Sequence, residues 1–139
     1  MIFVDTGYFI AILNPRDQLH ARAVAWSLAL HERLLVSEYV VWETINYFSM
    51  PIDRPKVHAW VDHIRSEAGC EWIDAAPVLL NAALDMHRRR PDKQWSLTDC
   101  ASFVIMRERS ISAALAWDQH FEQAGYQALL RRDPPRGEP

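Results

Sequence analysis

The stretch Met1-Ile2-Phe3-Val4-Asp5-Thr6-Gly7 opens the chain and indicates the fold class. Four apolar residues in a row are typical of a short strand that is buried on both faces, as in a parallel sheet covered by helices. The acid, hydroxyl and glycine that follow predict a sharp turn into a helix. Asp5 is therefore expected at the carboxyl end of a core strand, which is where open α/β sheets gather their ligands.

Short apolar strands continue to alternate with helices along the rest of the chain. Further strands are expected at residues 34–36, 70–74, 112–117 and 126–130. Helices are expected at residues 6–13, 18–31, 38–48, 55–68, 77–90 and 98–109. This alternation predicts a three-layer α/β/α domain over residues 1–130, with a central parallel sheet of about five strands. The proline-rich, charged residues 131–139 predict a disordered C-terminal tail.

Composition limits the classes of function. The chain has 139 residues and a net charge of -3, so it has no general attraction for nucleic acid. RNA or DNA contacts would need local basic patches or bound cations. The first residues lack the basic and apolar regions of a signal peptide, and no apolar run is long enough for a bilayer, which predicts a cytoplasmic protein without a membrane partner. The two cysteines lack the spacing of a zinc site.

Four carboxylates lie where a carboxylate is hard to explain by structure alone: Asp5, Glu43, Asp99 and Asp118. Asp5 and Asp118 end apolar strands, whereas Glu43 interrupts an apolar helix. If the four converge, their repulsion raises some of their pKa values unless cations neutralise them. Mg²⁺ and Mn²⁺ prefer carboxylate oxygens, and a bound ion of this kind can activate water against a phosphodiester. The pattern predicts a divalent-metal site.

Each acid also has a structural alternative. Asp5 and Asp118 can cap the helices that follow them, and Asp99 can form a capping box with Ser96. Glu43 can be a surface acid on an unusually apolar helix. Capping accounts for each residue separately but does not explain why acids recur at the ends of several strands.

Several segments match a known family in order and separation: Val4-Asp5-Thr6-Gly7, Asp17-Gln18-Leu19-His20, Glu43 on its apolar helix, Ser96-Leu97-Thr98-Asp99-Cys100-Ala101 and Asp118-Gln119-His120-Phe121. Over nearly its whole length the chain resembles the PIN-domain ribonucleases, and in size and layout the VapC toxins of bacterial toxin–antitoxin pairs. The resemblance implies that the four acids form the metal site, supported by the hydroxyls of Thr6 and Ser96. Ala116 departs from the family pattern, which commonly has Thr or Ser two positions before the last acid.

The resemblance implies a metal-dependent endoribonuclease that uses Mg²⁺ or Mn²⁺, forms a homodimer and is silenced by a cognate antitoxin. An alternative is a noncatalytic PIN-like module that binds RNA or protein through the same cleft. An aspartyl-phosphate phosphatase fits less well, because Gly7 stands where that chemistry normally has a second Asp.

Basic residues add candidate substrate contacts. Arg88, Arg89 and Arg90 form the densest basic run and are predicted to grip phosphates, although cations also favour a helix C-terminus. His120, two residues after Asp118, is a further candidate for substrate binding. Trp26, Trp42 and Trp60 lie on helices and are expected either in the core or at an interface.

Overall fold

A five-stranded parallel sheet forms the centre of the structure, a computed structural model that describes residues 1–137. The strands are β1 (Ile2–Val4), β2 (Leu34–Ser37), β3 (Cys70–Ile73), β4 (Ala113–Leu115) and β5 (Gln127–Ala128). All neighbouring pairs run parallel, in the order β3-β2-β1-β4-β5. The predicted α/β/α fold with a central parallel sheet is confirmed.

Seven α-helices flank this sheet in the described part of the chain. They are α1 (Thr6–Leu13), α2 (His20–Ala29), α3 (Glu38–Tyr47), α4 (Arg54–Ser66), α5 (Pro77–Arg89), α6 (Leu97–Glu108) and α7 (Gln119–Gln123), and a 3₁₀ turn, Leu129–Arg131, follows β5. None of the helices in residues 1–137 combines the length and apolarity needed to cross a membrane.

The strand order creates a crevice beside β1. The chain builds the sheet outward from β1 to β3, then returns past β1 to add β4 and β5 on its other side. Where the direction of sheet growth reverses, the connections leave neighbouring strands in opposite directions, so a cleft opens at the strand ends. Here that point lies at the carboxyl ends of β1 and β4, directly before Asp5 and close before Asp118.

Several predicted boundaries differ from the structure by one or two residues, and two of the differences have identifiable reasons. The last strand ends at Ala128 rather than residue 130, because the chain tightens into the 3₁₀ turn and the Leu130 N–H donates to the Ala116 carbonyl at 3.1 Å. The second helix begins at His20 rather than residue 18. The carboxylate of Asp17 accepts a hydrogen bond from the Leu19 N–H at 2.8 Å, which forms a turn before the helix.

The predicted C-terminal tail begins with residues that contact the domain. The indole Nε1 of Trp26 donates to the carbonyl of Arg132 at 3.0 Å, and Arg22 forms an ion pair with Asp133 at 3.3 Å. Glu138 and Pro139 lie outside the described residues. Disorder of the tail therefore stays a prediction.

The three tryptophans proposed as core or interface residues differ in their exposure to solvent. Trp26 and Trp60 are buried, and Trp60 packs edge-on against Phe9 with 4.6 Å between ring centroids. Trp42 is 73% exposed on α3. Only Trp42 of these three is available to a partner.

Candidate active site

A cleft of about 480 Å³ opens at the carboxyl ends of β1 and β4. All four acids singled out in the sequence line it: Asp5, Glu43, Asp99 and Asp118. They come from four parts of the chain, namely the end of β1, α3, the first turn of α6 and the residue before α7. Thr6, Ser96 and His120 line the same cleft. The structure thus brings together acids that lie more than 100 positions apart in sequence.

Asp5 is the most enclosed of these acids, with 9% of its surface exposed. Its pKa is raised from 3.8 to about 7, mainly by burial and next by the nearby charge of Asp99. The backbone amide of Thr6 acts in the opposite direction, while Glu43 and Asp118 add smaller upward contributions. Although Asp5 occupies the position before α1, its side chain makes no capping hydrogen bond with that helix. Capping therefore does not explain this buried acid.

Asp99 does form the capping box that its spacing from Ser96 suggested. The Asp99 N–H donates to Ser96 Oγ at 3.0 Å, and the Ser96 N–H donates to Asp99 Oδ2 at 3.0 Å. The same carboxylate lines the cleft and raises the pKa of Asp5. The cap explains the position of this carboxylate without removing it from the cleft.

His120 connects Asp99 with Asp118. Its Nδ1 lies 3.0 Å from Asp99 Oδ2 and 3.3 Å from Asp118 Oδ2, while its backbone N–H donates to Asp118 Oδ1 at 3.0 Å. Asp118 is therefore the N-cap of α7, as the structural alternative proposed. One imidazole holds two of the four carboxylates together, although one comes from α6 and the other follows β4.

Glu43 has a different environment, because it is exposed on α3. The exposure agrees with the surface-acid alternative, but the side chain also faces the cleft and contributes to the raised pKa of Asp5. Its neighbour Trp42 is exposed too, so the helix is apolar on its solvent side as well as on its core side. This is why the sequence offered no obvious polar face for Glu43.

One polar atom near Asp5 has no protein partner. The Thr6 Oγ1 is buried and makes no hydrogen bond. Within residues 1–137, no three His, Cys, Asp or Glu side chains are arranged so that they could hold a metal ion. Asp99 and Asp118 instead accept hydrogen bonds from helix amides and contact His120. The available donors are nevertheless carboxylate and hydroxyl oxygens, which suit hard ions such as Mg²⁺.

The basic run lies against a second cavity. Arg88 and Arg89 pair with Asp85 at 3.9 and 3.7 Å, whereas Arg90 pairs with Asp92 at 3.0 Å and stacks on Trp95. Arg89 and Arg90 line a cavity of about 420 Å³ beside α5, α6 and α7, and none of the three arginines is among the residues lining the carboxylate cleft. Their predicted contact with substrate stays a prediction.

Several residues of the cleft wall were missed in the sequence: Gln18, Tyr47, Gln94 and Trp117. Tyr47 follows Glu43 by one helical turn, and Trp117 directly precedes Asp118. Their closeness to the proposed site acids is the sequence signal that points to them. Trp117 is in fact 43% exposed.

Comparison with known proteins identifies the family of the chain. The sequence profile of the PIN domain matches residues 2–125. The chain is 28% identical over 127 residues to the 23S rRNA-specific endonuclease VapC20 of Mycobacterium tuberculosis strains CDC 1551 and H37Rv, covering 91% of this chain and 95% of the relative. The crystal structure of that organism's VapC20, described as a sarcin–ricin loop cleaving toxin, superposes with a TM-score of 0.85 at 25% identity, over 93% of this chain and 98% of that one. These matches confirm the predicted family: the chain belongs to the PIN-domain proteins.

Proposed function

We propose that this protein is a metal-dependent endoribonuclease that hydrolyses RNA phosphodiester bonds in the carboxylate cleft. The observation that carries the proposal is the enclosed Asp5 carboxylate, whose pKa is raised to about 7 by burial and by the acids around it. A structural acid is normally placed where a hydrogen bond or a cation offsets its burial. Asp5 has the backbone amide of Thr6 on one side but three other acids near it, which favours a role in binding a cation.

Mg²⁺ or Mn²⁺ is the cofactor that these donors would suit. Asp5, Glu43, Asp99 and Asp118 would hold the ion or ions, and Thr6 and Ser96 would support them with hydroxyl groups. A bound divalent cation supplies a nucleophilic water at neutral pH and stabilises charge on the phosphate. It also removes the repulsion among the acids, so that Asp5 ionises at a lower pH than it does without the ion.

The chain's own side chains prepare the cleft for this chemistry. His120 keeps Asp99 and Asp118 in place through its contacts with both carboxylates. The Ser96 capping box fixes the side chain of Asp99, so that this acid needs little reordering to engage a ligand. The unpartnered Thr6 hydroxyl is free to donate to a carboxylate or to a water molecule in the cleft.

The toxin–antitoxin role and its partners belong to the same proposal. The relatives that match over nearly the whole chain are VapC20 endonucleases, and the matching structure is described as a toxin. We propose that a cognate antitoxin covers the cleft of this protein, and that the substrate is a loop of structured ribosomal RNA. We also propose a homodimer, since α3 and the segment after it expose the apolar side chains of Trp42, Met50 and Ile52.

RNA cleavage by the purified protein tests the enzymatic proposal. We expect hydrolysis of RNA containing the sarcin–ricin loop in the presence of Mn²⁺, and no hydrolysis with EDTA. Asp5→Asn and Asp99→Asn should each lower the rate at least about 100-fold, since even residues that only support metal ligands commonly contribute 10- to 100-fold. Asp62→Asn, which changes an exposed acid of α4 outside the cleft, is the matched control and should leave the rate unchanged.

A noncatalytic RNA- or protein-binding module is the second candidate. The observation that favours it is that Asp99 and Asp118 both cap helices, which is a structural use of two of the four acids. Cleavage that persists at full rate in both Asp→Asn variants, or that is not inhibited by EDTA, would refute the metal-site assignment. Binding of RNA without any cleavage would favour the module.

A further inference from the structure

An exposed indole stands at the rim of the carboxylate cleft. Trp117 lines the cleft directly before Asp118, and 43% of its surface is exposed. A single exposed apolar side chain is common on proteins and needs no functional explanation. The contacts around Trp117 are what distinguish it from such residues.

Arg131 holds the indole in place from one side. Its guanidinium lies 5.1 Å from the centroid of the Trp117 ring, within the range of a cation–π contact. Its Nη1 also donates to the Trp117 carbonyl at 3.0 Å, and its Nε pairs with Glu122 at 3.3 Å. Because three contacts fix the arginine, the ring that it covers is held in one orientation. A preordered aromatic surface loses little conformational entropy when a ligand binds to it.

The ligand that suits this surface is a nucleobase. The chain carries a net charge of -3, and no Lys or Arg is among the described residues that line the cleft, so RNA needs a further source of affinity there. Single-stranded RNA offers another source of affinity, because its unstacked bases bind to aromatic side chains. A second exposed aromatic residue, Tyr47, lines the cleft from α3, so aromatic surface accompanies the acids on two elements.

Resting on the endoribonuclease proposed above, we propose that Trp117 is a stacking platform for one unpaired base of the RNA substrate. Arg131 is its positioning residue. Stacking places the ribose-phosphate next to that base beside Asp118 and the other acids. Arg131 lies outside the residues that match the PIN domain, so this contact comes from the C-terminal segment of the chain.

Binding of RNA by tryptophan variants tests the proposal. The probe is the shortest oligoribonucleotide that the wild-type protein cleaves. Its binding is measured in Mn²⁺ with Asp5→Asn as the parent protein, because this variant leaves the RNA intact, and each further substitution is made in that parent. Trp117→Ala should raise the Kd about 10-fold, which is within the range found for removing one stacking aromatic residue. Trp117→Phe should retain most of the affinity. Trp117→Leu preserves an apolar side chain without an aromatic face and should bind as weakly as Trp117→Ala.

A matched control is available in Trp72 of the edge strand β3. Trp72 is also stacked by an arginine, with Arg65 4.5 Å from its ring centroid, but it does not line the cleft. Trp72→Ala should leave the RNA affinity unchanged. Arg131→Ala should weaken RNA binding less than Trp117→Ala does, because it removes only the support of the ring.

Abasic substitution in the RNA separates stacking from a structural role. Removing one particular base should weaken binding to the parent about as much as Trp117→Ala does. The same base removal should leave the affinity of the Trp117→Ala variant almost unchanged. Equal RNA affinity of the parent, Trp117→Leu and Trp117→Ala would overturn the inference. It would also be overturned if base removal at every position lowered the affinity of all three proteins equally. If the wild-type protein cleaves no RNA, the proposed function fails together with this inference. If cleavage is normal and Trp117 makes no difference, only this inference fails.

Discussion

Asp5 shows how a single buried carboxylate can lower the stability of a fold. Burial and the charge of Asp99 both raise its pKa, to about 7, so the folded protein binds a proton there more tightly than the unfolded chain does. The free energy of unfolding must then fall as the pH rises from about 4 to about 7, and the penalty is complete above that range. Its upper limit is about 4 kcal/mol, since one pKa unit corresponds to about 1.4 kcal/mol.

We therefore expect Asp5→Asn to be more stable than the wild-type protein at pH 8 when no divalent cation is present. At pH 4 the two proteins should differ little, because Asp5 is then protonated and uncharged. Urea unfolding across this pH range measures the difference. Adding Mn²⁺ at pH 8 should stabilise the wild type more than the variant, and equal pH profiles for both proteins would contradict the raised pKa.

At the scale of residues, the sequence was a good guide to which acids meet and a poor guide to their surroundings. Asp5 and Asp118 were predictable because parallel strands place their carboxyl ends at one edge. The bridge made by His120 was not, since it depends on the relative position of α6 and α7. Glu43 was expected to be out of place on an apolar helix, whereas the helix exposes several apolar residues beside it.

Two helices of the cleft begin with serine caps that allow a matched comparison. Ser37 Oγ accepts from the Val40 N–H at 3.3 Å at the start of α3, and Ser96 Oγ accepts from the Asp99 N–H at 3.0 Å at the start of α6. Replacing either serine by alanine should lower the free energy of unfolding by about 1 kcal/mol. Only the second cap holds a cleft acid.

Ser96→Ala should therefore also slow RNA cleavage, whereas Ser37→Ala should not once both proteins are assayed well below their unfolding temperatures. Urea unfolding gives the stability difference, and initial rates of cleavage at saturating Mn²⁺ give the catalytic one. A similar loss of rate in both variants would mean that stability alone, and not the position of Asp99, limits activity.

Element type and order were predictable because hydrophobic periodicity and breakers such as Pro and Gly act locally. Element boundaries were less predictable where a tertiary hydrogen bond set them. The Leu130 N–H bonds to the Ala116 carbonyl, a residue far away in sequence, and this contact ends β5 early. No pattern within residues 126–130 contains that information.

At the scale of the whole molecule, the exposed apolar surface on α3 bears on assembly. If it forms the proposed homodimer interface, Trp42→Lys should shift the protein from dimer to monomer, because an ammonium group would have to be buried. Sedimentation velocity measures the shift. Leu28→Lys, at a residue of α2 that is 79% exposed, is the control and should leave the assembly unchanged. A wild-type monomer would refute the dimer.

The end of the folded domain can be located by truncation. Leu129 and Leu130 are buried, and Arg132 and Asp133 contact α2, so a chain that ends at residue 133 should unfold at nearly the wild-type temperature. A chain that ends at residue 128 loses two buried leucines, each worth about 2–5 kcal/mol, and should not fold. Thermal unfolding followed by circular dichroism distinguishes the two. A clearly lower unfolding temperature for the longer fragment than for the full chain would show that the last six residues belong to the domain.

The central place of β1 in the sheet also governs when the molecule can form during its synthesis. The first strand leaves the ribosome early, but one of its two neighbours is β4, and the Asp5 N–H bonds to the carbonyl of Leu115. The cleft further requires Asp118, and the core requires Leu130. Nascent chains short of these residues have an unpaired edge on β1 and an incomplete set of acids. A ribosome that makes this protein is therefore not exposed to an assembled cleft until β4, Asp118 and Leu130 have been translated.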